Sequence, residues 1–106
     1  MKNPMTIALV VASMLIASAA SGALSIVQKE KQFSEEAITV KNGEMVRFIN
    51  EDNVTHSIAI KEPSGANKPG IMQKPGEQSD VKFDQAGEHE VRCLIHPKMK
   101  MSVKVD

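Results

Sequence analysis

From Ile38 onward, apolar side chains recur at every second position in short runs separated by Gly, Pro, Asn and Asp. That period belongs to half-buried β-strands and not to helices. Ile38 and Val40 alternate with polar neighbours, "KNGE" at 41–44 supplies a tight turn, and "MVRFI" at 45–49 resumes the extended pattern. Asn-Gly between two alternating runs is a strong hairpin signal, so the two flanking strands are expected to pair. "NEDN" at 50–53 reads as a polar loop and "HSIAI" at 56–60 as the next strand. Residues 61–80 carry Pro63, Gly65, Pro69, Gly70, Pro75 and Gly76, and read as loop with one short strand around Ile71. "VKF" at 81–83, "EHEVRC" at 88–93 and "MSVKV" at 101–105 follow as strands. His89, Val91 and Cys93 share one strand face, as do Met99, Met101, Val103 and Val105. Upstream, "QKEKQFSEEA" at 28–37 has some helix propensity and is read as an edge strand plus loop. About seven short strands with turns every 8–12 residues predict an all-β fold, a Greek-key β-sandwich.

The first 23 residues break this pattern. Lys2 precedes an apolar run from Thr6 to about Ala20, and small residues then permit cleavage after Ala19, Ala20 or Ala23. These are the parts of a secretory signal peptide, so the expected division is a leader at 1–23 and one domain at 24–106. The alternative is an uncleaved membrane anchor, although a run of about 15 residues falls short of the roughly 20 that span a bilayer. Loss of Lys2 with the leader would leave 12 of the 13 basic side chains against 13 acidic ones, for a net charge near −1. With no basic stripe and only three aromatic residues, Phe33, Phe48 and Phe83, nothing suggests a nucleic-acid partner. A domain this small is marginal without a staple, and its single cysteine, Cys93, cannot form an internal disulfide. A metal would supply the staple and also protect a thiol exported to an oxidising compartment.

Candidate chemistry concentrates in "CLIHPKMKM" at 93–101. Cys93, His96 and Met99 form C-x-x-H-x-x-M, a thiolate, an imidazole and a thioether on one loop. This soft set suits copper, for which two histidines and a cysteine with a weak axial methionine make a blue-copper site. A second histidine must come from elsewhere. His89 lies four residues before Cys93 on one strand, about 13 Å away at ~3.3 Å per residue, too far for both to reach one ion. His56, at the start of a different strand after a polar loop, is the candidate. There is no C-x-x-C or C-x-x-C-H for thiol exchange or haem attachment. A thioether is a poor ligand for zinc.

"NEDNVTHSIAI" at 50–60 followed by "GEHEVRCLIHPKM" at 87–99 resembles the cupredoxins, the small blue copper proteins of the plastocyanin and amicyanin group. The resemblance runs from about Ile38 to Val105. It implies a type 1 copper site held by His56, Cys93, His96 and Met99, and an electron carrier, not an enzyme. The short ligand loop is that of the amicyanin-like branch; longer-loop relatives place the axial methionine two residues later, where this chain has Met101. Family members carry apolar residues at the fourth and sixth positions after that methionine. From Met99 these are Val103 and Val105, so Met99 is the expected ligand and Met101 a core residue.

Two positions depart from the family pattern. Ser57 stands where the family often has Asn, and His89 where it favours Tyr, which makes His89 a partly buried residue whose ring nitrogens need partners. The resemblance further implies that His96 is the electron's exit, with Leu94, Ile95 and Pro97 as apolar docking surface and Lys98 at the rim. The expected protein is a periplasmic monomer that exchanges single electrons with partners such as a c-type cytochrome or a periplasmic dehydrogenase. The alternative is a periplasmic copper carrier or buffer that delivers Cu(I) with the same ligands.

Overall fold

A computed structural model describes residues 24–106; the expected leader at 1–23 lies outside the described residues. Nine strands follow one another: β1 (Leu24–Lys29), β2 (Gln32–Phe33), β3 (Ala37–Val40), β4 (Glu44–Asn50), β5 (His56–Lys61), β6 (Ile71–Gln73), β7 (Gln78–Phe83), β8 (Gly87–Cys93) and β9 (Lys100–Val105). They form two sheets, β2-β1-β4-β7 and β3-β9-β8-β5-β6. The β1–β4 and β3–β9 pairs are parallel and the others antiparallel. Among the described residues no helix is long and apolar enough to cross a membrane.

The alternation read from the sequence places one set of side chains between the sheets. Ile26, Val46, Phe48, Val81 and Phe83 come from the first sheet, and Ile58, Ile60, Val91, Met101, Val103 and Val105 from the second. Phe48 is fully buried, and its ring meets Phe33 edge-on at 6.3 Å between centroids. Burial of this apolar set is the main stabilising term for so small a domain.

Two local expectations need correction. Asn42-Gly43 does form a tight turn, with Gly43 at φ 93° and the Glu44 N–H donating to the Lys41 carbonyl at 3.0 Å. The strands on either side do not pair. β3 lies against β9 in one sheet, whereas β4 lies between β1 and β7 in the other. The turn is a local hydrogen-bonded feature, but each strand joins whichever sheet turns its apolar face to the common core.

The second correction concerns residues 28–37, and with it the strand count of nine. β2 is the edge strand expected there and residues 34–36 are loop, but Gln28 and Lys29 end β1, an additional, interior strand with Ile26 fully buried. The two strands are joined by the two-residue turn Glu30-Lys31, both left-handed at φ 54° and 57°. Neither residue type signals such a turn, which normally draws Asn, Asp or Gly.

Gly87 opens β8 at φ 123°, and a Cβ there would come within 2.9 Å of Pro63 Cγ. Gly87→Ala combines backbone strain with a steric clash, and about 1–3 kcal/mol of stability should be lost. A lower urea midpoint at unchanged slope checks this; an unchanged midpoint would show that the 61–70 loop yields freely.

Candidate metal centre

β5 and β8 are antiparallel neighbours with Ile58 opposite Cys93. His56 is two residues before Ile58 on the same inward face, so it emerges at the end of the sandwich where β8 finishes. The chain then folds back on itself. Leu94 N–H donates to the Ser57 carbonyl at 2.8 Å, Met99 N–H to the His96 carbonyl at 2.9 Å, and Cys93 N–H to the Met99 carbonyl at 3.0 Å. These bonds close the 93–99 segment into a compact loop and turn His96 towards His56.

Three donor atoms converge there. His56 Nδ1 lies 3.2 Å from His96 Nδ1, and Cys93 Sγ lies 3.6 Å and 3.5 Å from those two nitrogens. A triangle with these sides has a circumradius of about 2.0 Å, close to metal–imidazole distances of about 2.0–2.1 Å and somewhat short of the roughly 2.3 Å of metal–thiolate bonds. Lone pairs facing one another at these separations repel unless a proton or a cation sits between them. The arrangement therefore fits a small, soft cation, and among the described residues this is the cluster whose donors could hold one.

The immediate surroundings are polar where they need to be. Ser57 N–H points at Cys93 Sγ at 3.4 Å, so the residue that replaces the family's Asn still contributes through its backbone. His56 is fully buried, and its Nε2 lies 2.7 Å from Asp52 Oδ2. An ionised carboxylate only accepts, so Nε2 carries the ring proton and Nδ1 presents its lone pair to the cluster. Burial alone would raise the Asp52 carboxyl's pKa. The Lys31 N–H, the His56 ring and the Glu30 N–H outweigh it and hold the group below the usual carboxylate range.

The two methionines separate cleanly. Both are buried, but Met101 belongs to the core cluster and faces Val91 across β8–β9, whereas Met99 stands outside that cluster on the donor loop. His89 is not drawn in. It is buried on β8 with its ring edge-on to Phe83 at 5.2 Å, and among the described residues its Nδ1 has no hydrogen-bond partner.

The sequence reading missed Asp52 and the polar group below it. Asn50, Gln28 and Gln73 are all fully buried. Gln28 Nε2 donates to Gln73 Oε1 at 2.5 Å, and Asn50 Nδ2 donates to the Val54 and Gln73 carbonyls at 2.9 and 3.0 Å. These bonds anchor the loop that leads into His56. "NEDN" looked like an ordinary solvated loop, and nothing in its spacing singles out Asp52 from Glu51.

A two-sheet β-sandwich with two imidazoles and a thiolate converging at one end defines a cupredoxin, a small copper protein. The family model for copper binding proteins of the plastocyanin/azurin family matches residues 20–106, and the chain belongs to that family. It is 36% identical over 93 residues to chloroplastic plastocyanin of Chlamydomonas reinhardtii, covering 80% of this chain and 59% of that protein. It is 28% identical over 103 residues to amicyanin-alpha of Methylorubrum extorquens, covering 85% and 87%. The reduced Cu(I) form of an amicyanin variant superposes with a TM-score of 0.73 at 25% identity, covering 80% of this chain and 83% of that one. Copper is thus the metal of this site, and the proteins of this group are electron carriers, not enzymes.

Proposed function

We propose that this protein is an exported type 1 copper protein that carries single electrons between periplasmic redox partners, with His56, Cys93, His96 and Met99 as its copper ligands. The observation that carries this reading is the convergence of two Nδ1 atoms and one Sγ within 3.6 Å of each other. Copper bound there supplies a one-electron Cu(I)/Cu(II) couple.

The chain's own residues make that couple useful. Cys93 would be the soft donor, His56 and His96 would supply the two imidazoles, and Met99 would be a weak fourth ligand. The bonds that close the 93–99 loop hold these donors in one arrangement, so little has to move when an electron arrives. His96 is half-buried, while Leu94 at 57% and Ile95 at 49% exposure directly precede it in sequence and present apolar surface. Pro97 extends that surface, and Lys98 rims it. A patch of this kind suits the small, short-lived contact of a redox encounter, which buries under ~1,200 Å². The leader at 1–23 directs the protein to the periplasm, where it acts as a monomer on partners such as a c-type cytochrome or a dehydrogenase.

Absorption and electron paramagnetic resonance spectra of the copper(II) protein test the proposal. An intense visible thiolate-to-copper band and reversible electrode cycling are expected. A protein that stays colourless with Cu(II), binds only Cu(I) and yields it readily to a chelator is instead a copper carrier or buffer.

The axial ligand has its own test. Met99→Gln replaces sulfur with a harder oxygen donor, so it should alter the colour and lower the potential. Met101→Leu is a volume-conserving core change that costs less than about 1.5 kcal/mol and leaves the spectrum unchanged. The reverse pattern would move the axial ligand to Met101.

A further inference from the structure

We propose that Asp52 is a positioning residue for the copper centre, locking the ring of His56 in its ligating tautomer and itself held by the backbone of the β1–β2 turn. The inference rests on the ligand role proposed for His56.

The carboxylate is almost fully used. Its Oδ1 accepts the Glu30 N–H at 2.7 Å, and its Oδ2 accepts both the Lys31 N–H at 2.8 Å and the His56 Nε2–H at 2.7 Å. Its side chain is only 10% exposed. Its own backbone N–H donates to the Asn50 side chain at 2.8 Å, which fixes the direction from which the carboxylate approaches the ring.

The turn that grips it is unusual in composition. Glu30 and Lys31 are consecutive left-handed residues, a backbone state that disfavours side chains other than Gly by about 1–2 kcal/mol each. Two successive N–H groups turned to one side form a concave anion site. Charge-assisted bonds to the carboxylate, about twice as strong as neutral ones, offset the strain. The N-terminal hairpin, which contributes no metal donor, thus becomes part of the support for one.

Three consequences follow for the centre. His56 has one tautomer before metal arrives, with its lone pair at Nδ1. The ring becomes a stronger donor through partial sharing of its Nε2 proton. A fixed negative charge behind the ring favours the more positive oxidation state. An asparagine has the same shape but cannot do this: with its oxygen towards His56 and Lys31, its NH₂ faces the Glu30 N–H donor. Turned the other way, the NH₂ opposes both His56 Nε2–H and Lys31 N–H.

The experiment has a metal-free and a copper-loaded arm. In the metal-free wild type, ring ¹⁵N shifts should show His56 protonated at Nε2 alone. In Asp52→Asn that single tautomer should give way to a mixture. In the copper protein, Asp52→Asn should lose about tenfold of its preference for Cu(II) over Cu(I), within the 10–100-fold range of outer ligand supports. For one electron that is a potential about 59 mV higher. Asp52→Glu, which keeps the carboxylate, should fall between the two.

A wild-type His56 protonated at Nδ1 overturns the proposal whether or not any variant folds. So does an Asp52→Asn protein with wild-type tautomer and potential. Failure of the copper-ligand reading looks different: the wild type would show the Nε2 tautomer and yet develop no thiolate-to-copper band.

Discussion

Replacing Cys93 with alanine is expected to abolish the visible band of the copper(II) protein and to lower its copper affinity by more than about 100-fold. Loss of an outer support alone costs about 10–100-fold, and this change removes the only thiolate of the donor set. Cys93 is fully buried, so the metal-free variant also loses some packing, about the 1 kcal/mol of an average substitution. The larger difference appears on adding metal. At a free-metal concentration a thousandfold above its dissociation constant, the wild type gains about 4.1 kcal/mol of stability by linkage, and a variant that binds about 100-fold more weakly should gain no more than about 1.4 kcal/mol. Denaturation curves of both proteins with and without copper measure this directly. A variant that keeps the band, or that copper stabilises as strongly as the wild type, would remove Cys93 from the site.

The second large effect lies in the core. Phe48→Ala should destabilise the metal-free domain by about 3–5 kcal/mol, the range for buried phenylalanine truncations. The side chain is wholly enclosed between the sheets, and edge-on contact with Phe33 adds to what is lost. For a domain of residues 24–106 that is about half of its stability, given roughly 0.05–0.15 kcal/mol per residue in all. The urea midpoint should fall at unchanged slope, and bound copper should recover part of the loss. A loss below about 1 kcal/mol would mean that Phe33, Phe83 and their neighbours close the gap.

Both effects arise where the structure and the sequence pattern agree. Alternation of apolar residues gave away the strands after Ile38, because side chains two apart on a strand share a face whatever the partner strand is. The donor loop was legible for a similar reason. Cys93, His96 and Met99 lie within seven residues, a span over which chain connectivity alone keeps side chains close. His56 could be reached by distance, since His89 is tied to Cys93 by a rigid strand and was excluded on length.

Other features escaped because they depend on what lies across space. The Asn42-Gly43 signal described a turn correctly and the pairing of its flanking strands incorrectly. Turn chemistry is a property of four residues, whereas sheet membership follows from where each strand finds a partner and buries its face. β3 finds β9 from the far end of the chain, and β4 finds β1 and β7. The Glu30-Lys31 turn carried no local mark, because its strain is compensated by a carboxylate 21 and 22 positions away.

By itself, then, the sequence determined the strand periodicity, the soft donor set and its compact loop, all consequences of short-range backbone geometry. Only the tertiary structure decided which sheet each strand joins, how His56 meets Cys93 and His96, and that Asp52 stands behind His56. Those contacts form when the two sheets close over Phe48 and its neighbours, and no local preference encodes that closure.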